Sequence, residues 1–269
     1  MTDAHCHPWD LLEHLAAAEA ERRETGTACA ASSWNLEQFE YHEGLAKKAR
    51  EEAAPPLFCC FALHPQLSAG RDFSPSSGIE LLQSLAAEGR LDAVGETGFD
   101  LYDERYRAGE KLQDEMFTCH LETARKYDLP LVLHVRRALH KIFPFCGELK
   151  KLPAVVFHSW SGTRGEGEAL LRRGVNACFS FGSVVLKNHR QAMTCAALFP
   201  PERLLLETDA PYQPLPLVLS RGNSFSSWRD LSQICQGIAA LRKEAGSAGN
   251  TFDEIEAITT ENFFRVFSR

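Results

Sequence analysis

Short apolar runs alternate along the chain with longer stretches in which apolar residues recur every three or four positions. The short runs predict strands near residues 1–6, 26–33 (GTACAASS), 56–63 (PLFCCFAL), 91–96 (LDAVGE), 129–135 (LPLVLHV), 153–158 (PAVVFH), 175–181 (VNACFSF) and 203–208 (RLLLET). The longer stretches predict helices: LLEHLAAAEAERR after the first strand, NLEQFEYHEGLAKKAREEA after the second, GIELLQSLAAEG after the third and EKLQDEMFTCHLETARKYD after the fourth. Shorter helices fill the later gaps, and FDEIEAITTENFFRVF predicts a last helix over 252–267.

Strands that are apolar throughout, each followed by a helix, belong to a parallel sheet covered on both faces. Eight such units in 269 residues predict an α/β fold, a single (β/α)8 TIM barrel occupying 1–269 as one domain. The alternative is a doubly wound sheet. No G-x-G-x-x-G turn follows the first strand, which argues against a dinucleotide-binding version of it.

Composition narrows the function more than the fold. Hydrophobic residues are 44% and charged residues 24%, as in ordinary soluble domains. No run approaches the roughly 18 apolar residues of a membrane span, and the first residues lack the basic and apolar regions of a signal peptide. A cytoplasmic protein is therefore expected, with no membrane partner. The nine cysteines contain no C-x-x-C pair and read as reduced core thiols. A net charge of −7 does not suggest a protein that coats nucleic acid non-specifically, though bound divalent ions would reverse the local sign at a site. Nothing signals an oligomer, and a monomer is expected.

Half of the ten histidines fall where strands end. His5 and His7, in DAHCH, close the first strand and share a face, which leaves Cys6 pointing the other way. His64 follows the third strand, Glu96 ends the fourth, His134 the fifth, His158 the sixth, and Asp209 follows the eighth. In a barrel this is the face on which the βα loops converge and active sites form. Neutral imidazoles with carboxylates suit Zn²⁺, Mn²⁺ or Mg²⁺. Even six of these seven as ligands are too many for one tetrahedral ion with an open position, and suit two ions sharing a carboxylate about 3.5–4 Å apart. His14, His42, His120, His140 and His189 lie in helices or loop flanks and read as surface or helix-packing residues.

The segments DAHCHP, ALHP, GETGFDLY, Q-x-x-x-F leading to LPLVLHVR, FHSWSG, LLLETDAPY and ITTENFFRVF occur in this order across nearly the whole chain. Together they resemble the TatD family of metal-dependent deoxyribonucleases, whose fold is an amidohydrolase-like TIM barrel with two metals. The resemblance implies His5, His7, Glu96 and Asp209 around one ion, and Glu96, His134 and His158 around the other. It places His64 beside the substrate phosphate, although the family's G-x-H-P here reads ALHP. It further implies DNA as a transient substrate.

The expected chemistry is phosphodiester hydrolysis assisted by two divalent ions (Zn, Mg or Mn), with Glu96 bridging them and Asp209 orienting water and accepting its proton. Asp3 and Asp100 are candidate carboxylates holding ligands in place. Arg136, two residues beyond His134, is a candidate phosphate contact if its strand continues. Lys187, His189 and Arg190 form a basic cluster after the seventh strand. The segment 211–227 reads as a loop at the rim, with Arg221 and Arg229 as the basic residues nearby. The competing function is a small-molecule amidohydrolase or lactonase on the same barrel.

Overall fold

A computed structural model of the chain describes residues 1–70, 73–217, 219–220 and 222–268. Arg221, one of the basic residues assigned to the rim, lies outside them. The strands are β1 (Thr2–Cys6), β2 (Ala28–Ser33), β3 (Leu57–Phe61), β4 (Ala93–Asp100), β5 (Leu131–Arg136), β6 (Val155–Phe157), β7 (Ala177–Phe181) and β8 (Leu204–Leu206). They lie side by side in chain order, each parallel to the next. That order has no reversal point, so the sheet is a TIM barrel and not a doubly wound sheet.

Closure between the ends of the sheet runs through a side chain. The Asp3 carboxylate accepts the Thr208 N–H at 3.0 Å and the Thr208 hydroxyl at 2.6 Å. Above it the backbone of Asp209 donates to His5 O at 3.0 Å and His7 donates to Ala210 O at 2.8 Å. The Asp3 carboxylate also accepts the backbone N–H of His5 at 3.2 Å, so it holds the His5 backbone while tying β1 to the segment after β8, and it does not touch the His5 ring. Burial pushes its carboxyl up to about 8, against the pull of its hydrogen bonds to Thr208 and His5.

Ala4, Ala30, Cys60, Ala93, Val132, Val156, Cys178 and Leu205, one from each strand, form a cluster with Phe263, Val266 and Phe267. The small strand residues leave room at the barrel's lower end, and the helix Phe252–Phe267 fills it with its aromatic face. A larger cluster, with Cys6, Phe61, Phe157 and Phe179 among its members, joins the outer faces of the strands to the helices. All nine cysteines are free, and all but Cys119 are buried.

Two expectations are corrected. The helix predicted over 11–23 is broken into Pro8–Leu11 and Ala18–Glu24. Good local propensity is overridden by anchoring: the buried Arg22 guanidinium bonds the carbonyls of Thr27 and Pro55 at 2.8 and 2.7 Å, docking the second piece on the barrel. Glu96 lies inside β4, which runs on to Asp100. The reason is in GETG. A Cβ on Gly95 would meet Val132 at 2.5 Å, and one on Gly98 (φ +129°) would meet His134 O at 2.2 Å. The two glycines let β4 press against β5, and the register slips between Val94 and Thr97.

Candidate metal centre

The upper end of the barrel gathers the residues singled out above around the Glu96 carboxylate. Glu96 Oε2 lies 2.9 Å from His158 Nε2, 3.0 Å from His5 Nε2 and 3.7 Å from His134 Nδ1. Its other oxygen, Oε1, lies 2.8 Å from His64 Nε2. Asp209 Oδ1 completes the group at 3.4 Å from His7 Nε2 and 3.6 Å from His5 Nε2. Three clusters of candidate ligands result: His5, His158 and Asp209; His5, His7 and Glu96; and His64, Glu96 and His134. This partition differs from the expected one, because His158 approaches His5 and Asp209 as well, and His64 joins the group.

Hydrogen bonds away from the centre orient the rings of His134 and His5, and a carboxylate stands behind that of His158. His134 Nε2 faces Asp100 Oδ2 at 3.1 Å, and His5 Nδ1 meets Ser32 Oγ at 3.2 Å. His158 Nδ1 faces the buried Glu207 Oε1 at 3.9 Å, and the same oxygen accepts the Ser159 N–H at 2.8 Å. Carboxylates behind imidazoles point the opposite ring nitrogen, with its lone pair, toward the centre. His64 is wired the other way. Its Nδ1 accepts the Gln66 N–H at 3.2 Å, so the neutral ring carries its proton on Nε2, facing Glu96 as a donor. Burial lowers His64, against the pull of the Glu96 charge.

The electrostatics follow from crowding. Burial works against the Glu96 carboxylate, but the charges of His158, His64 and His5 outweigh it and hold it well below the usual range. Asp209 is likewise penalised by burial and pulled down by the hydrogen bond from His7 and the charges of His5 and His158. Burial also opposes ionisation of Asp100, yet His134, Gln66 and the Tyr102 N–H bring it to about 2. Burial depresses His5, whereas in His158 it is outweighed by Glu96 and Glu207. His5 Nε2 is buried and makes no hydrogen bond despite facing Glu96. An unpaired ring nitrogen among converging carboxylate oxygens fits a divalent cation, which would satisfy it.

A cavity of about 1060 Å³ opens over this group, and His7, His64, Glu96, His134, His158 and Asp209 all reach it. Exposed Trp34, Tyr102 and Tyr212 stand on its wall. Arg136 is the last residue of β5, so the strand does continue to it. Its guanidinium lies 3.6 Å from the centre of the Tyr102 ring and lines the same cavity. The basic cluster after β7 is divided: His189 lines the cavity, while Arg190 faces a separate groove beside Leu198 and Leu241. Arg229 is paired with Glu21 and Glu24 at 3.1 and 2.5 Å and is not among the residues lining the cavity. The start of the 211–227 loop is fixed, with Ser183 Oγ donating to Gln213 O at 2.6 Å and the Ser226 N–H to Pro211 O at 3.0 Å. Among its described residues there is no helix or strand.

Sequence reasoning missed Glu207, Ser32 and Gln213, and it read His42 and His120 as packing residues. Glu207 carries a visible signal, two positions before Asp209 in ETD on the same short strand end. Ser32 and His120 do not, because their partners are distant in the chain, and Gln213, four positions from Asp209, stands in a loop with no periodic pattern to aim it.

The family profile described as TatD related DNase matches residues 2–268. The uncharacterized metal-dependent hydrolase YjjV of Escherichia coli K12 is 30% identical over 277 residues, covering 99% of this chain and 97% of its own. The 3'-5' ssDNA/RNA exonuclease TatD of Shigella flexneri serotype 5b (strain 8401) is 32% identical over 168 residues, covering 61% of this chain and 64% of its own. The crystal structure of YjjV superposes with a TM-score of 0.82 at 24% identity over 100% of this chain and 98% of that one, which shows the same fold. No helix among the described residues is long and apolar enough to cross a membrane. The chain belongs to the TatD-related DNase family of metal-dependent hydrolases.

Proposed function

We propose that the protein is a nuclease hydrolysing phosphodiester bonds of DNA, taken as a single strand, with two divalent ions (Zn²⁺, Mg²⁺ or Mn²⁺) held by His5, His7, Glu96, His134, His158 and Asp209. The observation that carries this reading is the Glu96 carboxylate, reached by His5 and His158 at 3.0 and 2.9 Å and by His134 at 3.7 Å. A buried carboxylate shared among three imidazoles from three strands is the arrangement expected of a ligand common to two ions.

When bound, such ions lower the pKa of a water near neutral pH and neutralise charge on a reacting phosphate. The remaining work falls to the chain. Asp209 stays ionised and can orient the water and accept its proton. His64 lines the cavity with its Nε2–H on Glu96 Oε1, and can share that proton with a phosphate oxygen entering beside it. Asp100 and Glu207 steady the rings of His134 and His158. Exposed Trp34 and Tyr212 offer faces on which unpaired bases can stack, which favours a single strand over a duplex. The exonuclease TatD supports the same substrate class by similarity.

The test is cleavage of single-stranded DNA, duplex DNA and RNA oligonucleotides, alongside a panel of esters and lactones. Mg²⁺, Mn²⁺ or Zn²⁺ is added in turn, with a chelator control. Metal-dependent cleavage of single-stranded DNA is expected to exceed that of duplex. Turnover of esters or lactones with no nucleic acid cleaved would overturn the nuclease reading in favour of a small-molecule hydrolase.

A further inference from the structure

Two βα loops beside the centre are joined by one side-chain amide. Gln213 Nε2 donates to Asp209 Oδ2 at 2.7 Å and to Ser159 Oγ at 2.5 Å. Asp209 follows β8, and Ser159 follows His158 at the end of β6. The amide's two N–H donors are thus divided between the two loops.

The backbone at all three residues is unusual in the same way. Ser159 (φ +47°), Asp209 (φ +55°) and Gln213 (φ +55°) are all non-glycine residues in the left-handed region. A Cβ disfavours that region, so residues remain there only when their surroundings hold them. Hydrogen bonds hold each of the three. Ser159 N–H is held by Glu207, Gln213 O by the Ser183 hydroxyl, and Asp209 N–H by His5 O. Three disfavoured conformations meet at one hydrogen-bonded bridge beside the centre.

The orientation of Asp209 shows what the bridge accomplishes. Oδ1 faces His7 and His5 at 3.4 and 3.6 Å, while Oδ2 is the oxygen Gln213 holds. A carboxylate free to rotate would exchange its oxygens and leave the ring. One donor on Oδ2 stops this, and still leaves a lone pair on that oxygen for a water. From the other end, the same amide pins the loop next to His158.

We infer that Gln213 is a positioning residue: its amide fixes the Asp209 carboxylate toward His5 and His7 and couples the β6 and β8 loops across the centre. The inference rests on the metal-dependent reading of this site, and not on which substrate is cleaved. Its role is to set geometry before reaction, where small misplacements cost rate out of proportion to stability.

The experiment uses three single variants of the full chain, Gln213→Leu, Gln213→Glu and Ser159→Ala. Mn²⁺ is titrated calorimetrically into each chelator-stripped protein. Steady-state kinetics are then measured on a small synthetic phosphodiester, and the Tm of the metal-free form is recorded. Gln213→Leu should weaken Mn²⁺ binding about tenfold and lower kcat about tenfold, with KM within about twofold and metal-free Tm close to wild type. Gln213→Glu keeps the shape but loses the donor, and should be worse than leucine. Ser159→Ala leaves the Gln213 backbone untouched and should lower kcat about threefold. Wild-type Mn²⁺ affinity and kcat in Gln213→Leu, or losses that follow Tm alone, would overturn the inference and leave the metal site standing. A wild-type protein that takes up no divalent ion would overturn the reading of the site itself.

Discussion

The hydroxyl of Thr97, next to Glu96, lies 2.5 Å from Nδ1 of His120, a buried histidine on the helix Glu110–Lys126. The same ring accepts, at 3.2 Å through Nε2, the backbone N–H of Leu63, next to His64. His42 does the equivalent on the other side, meeting Ser33 Oγ at 2.7 Å and accepting the Trp9 N–H at 3.1 Å, two residues past His7. Two helix histidines therefore brace the strand ends that carry the candidate ligands.

The first prediction concerns that brace. His120→Leu fills the space but leaves the Leu63 N–H buried without an acceptor, a cost of about 1–3 kcal/mol. It also frees the backbone beside His64 and Glu96. Urea unfolding should show this loss, and activity should fall about tenfold or more. His120→Gln, which can still accept the Leu63 N–H, should recover part of both. Equal activity in all three proteins would show that the brace is only packing.

A pH dependence follows from the same pair. Burial pushes His42 down to about 3, with the charge of His7 adding to it, and pushes His120 down to about 3. Both rings are neutral when folded, whereas the unfolded chain protonates them below about 6.5. Their contribution to stability is complete above that value and is lost as pH falls toward 3. The loss is on the order of 1.4 kcal/mol per pH unit per ring. Urea midpoints of chelator-treated protein between about pH 4 and 6 should fall less steeply for His42→Gln than for wild type. Parallel curves would assign the acid lability to other groups.

The barrel was legible because each strand is a bounded apolar run, and the centre because its residues stand at the ends of those runs. What could not be read depends on contacts between distant positions. Asp3 shares a strand with His5, so it looked like a ligand's partner, yet its carboxylate is taken by Thr208 across the closure. Glu96 looked like a strand end because apolar residues stop there. Its true position inside β4 depends on how tightly two glycines let β4 approach β5. His42 and His120 sit on helices, where a histidine shows no sign of what its ring will reach.

Metal binding should be visible as stability. A divalent ion present at a hundred times its Kd raises unfolding free energy by about 2.7 kcal/mol. Chelation of the wild-type protein should lower Tm accordingly. Glu96→Gln keeps the shape of the shared side chain but removes its charge, and should abolish most of the Tm difference between metal-loaded and chelated protein, with activity lost. A full metal-dependent Tm shift in Glu96→Gln would show that the ions are held elsewhere.

Arg136 provides the test of how substrate is held. Its guanidinium lies 3.6 Å from the Tyr102 ring centre, with that of Arg137 at 4.5 Å from the same ring. Stacking fixes the plane of the fork at the cavity wall and leaves its N–H groups available for a phosphate. This contact would be made equally to substrate and transition state, so it should act on KM. Arg136→Ala should raise KM for a single-stranded oligonucleotide about tenfold, with kcat within about twofold and little change for a small phosphodiester. Losing one phosphate contact should also reduce the salt dependence of binding by about 0.7 in slope. Arg136→Lys should restore the salt slope, because charge is kept. It should not restore KM fully, because an ammonium neither lies flat on Tyr102 nor bonds two oxygens from one plane. If Arg136→Ala leaves both KM and the salt slope unchanged, the strand does not pass over β5, and the aromatic wall at Trp34 and Tyr212 becomes the side on which it runs.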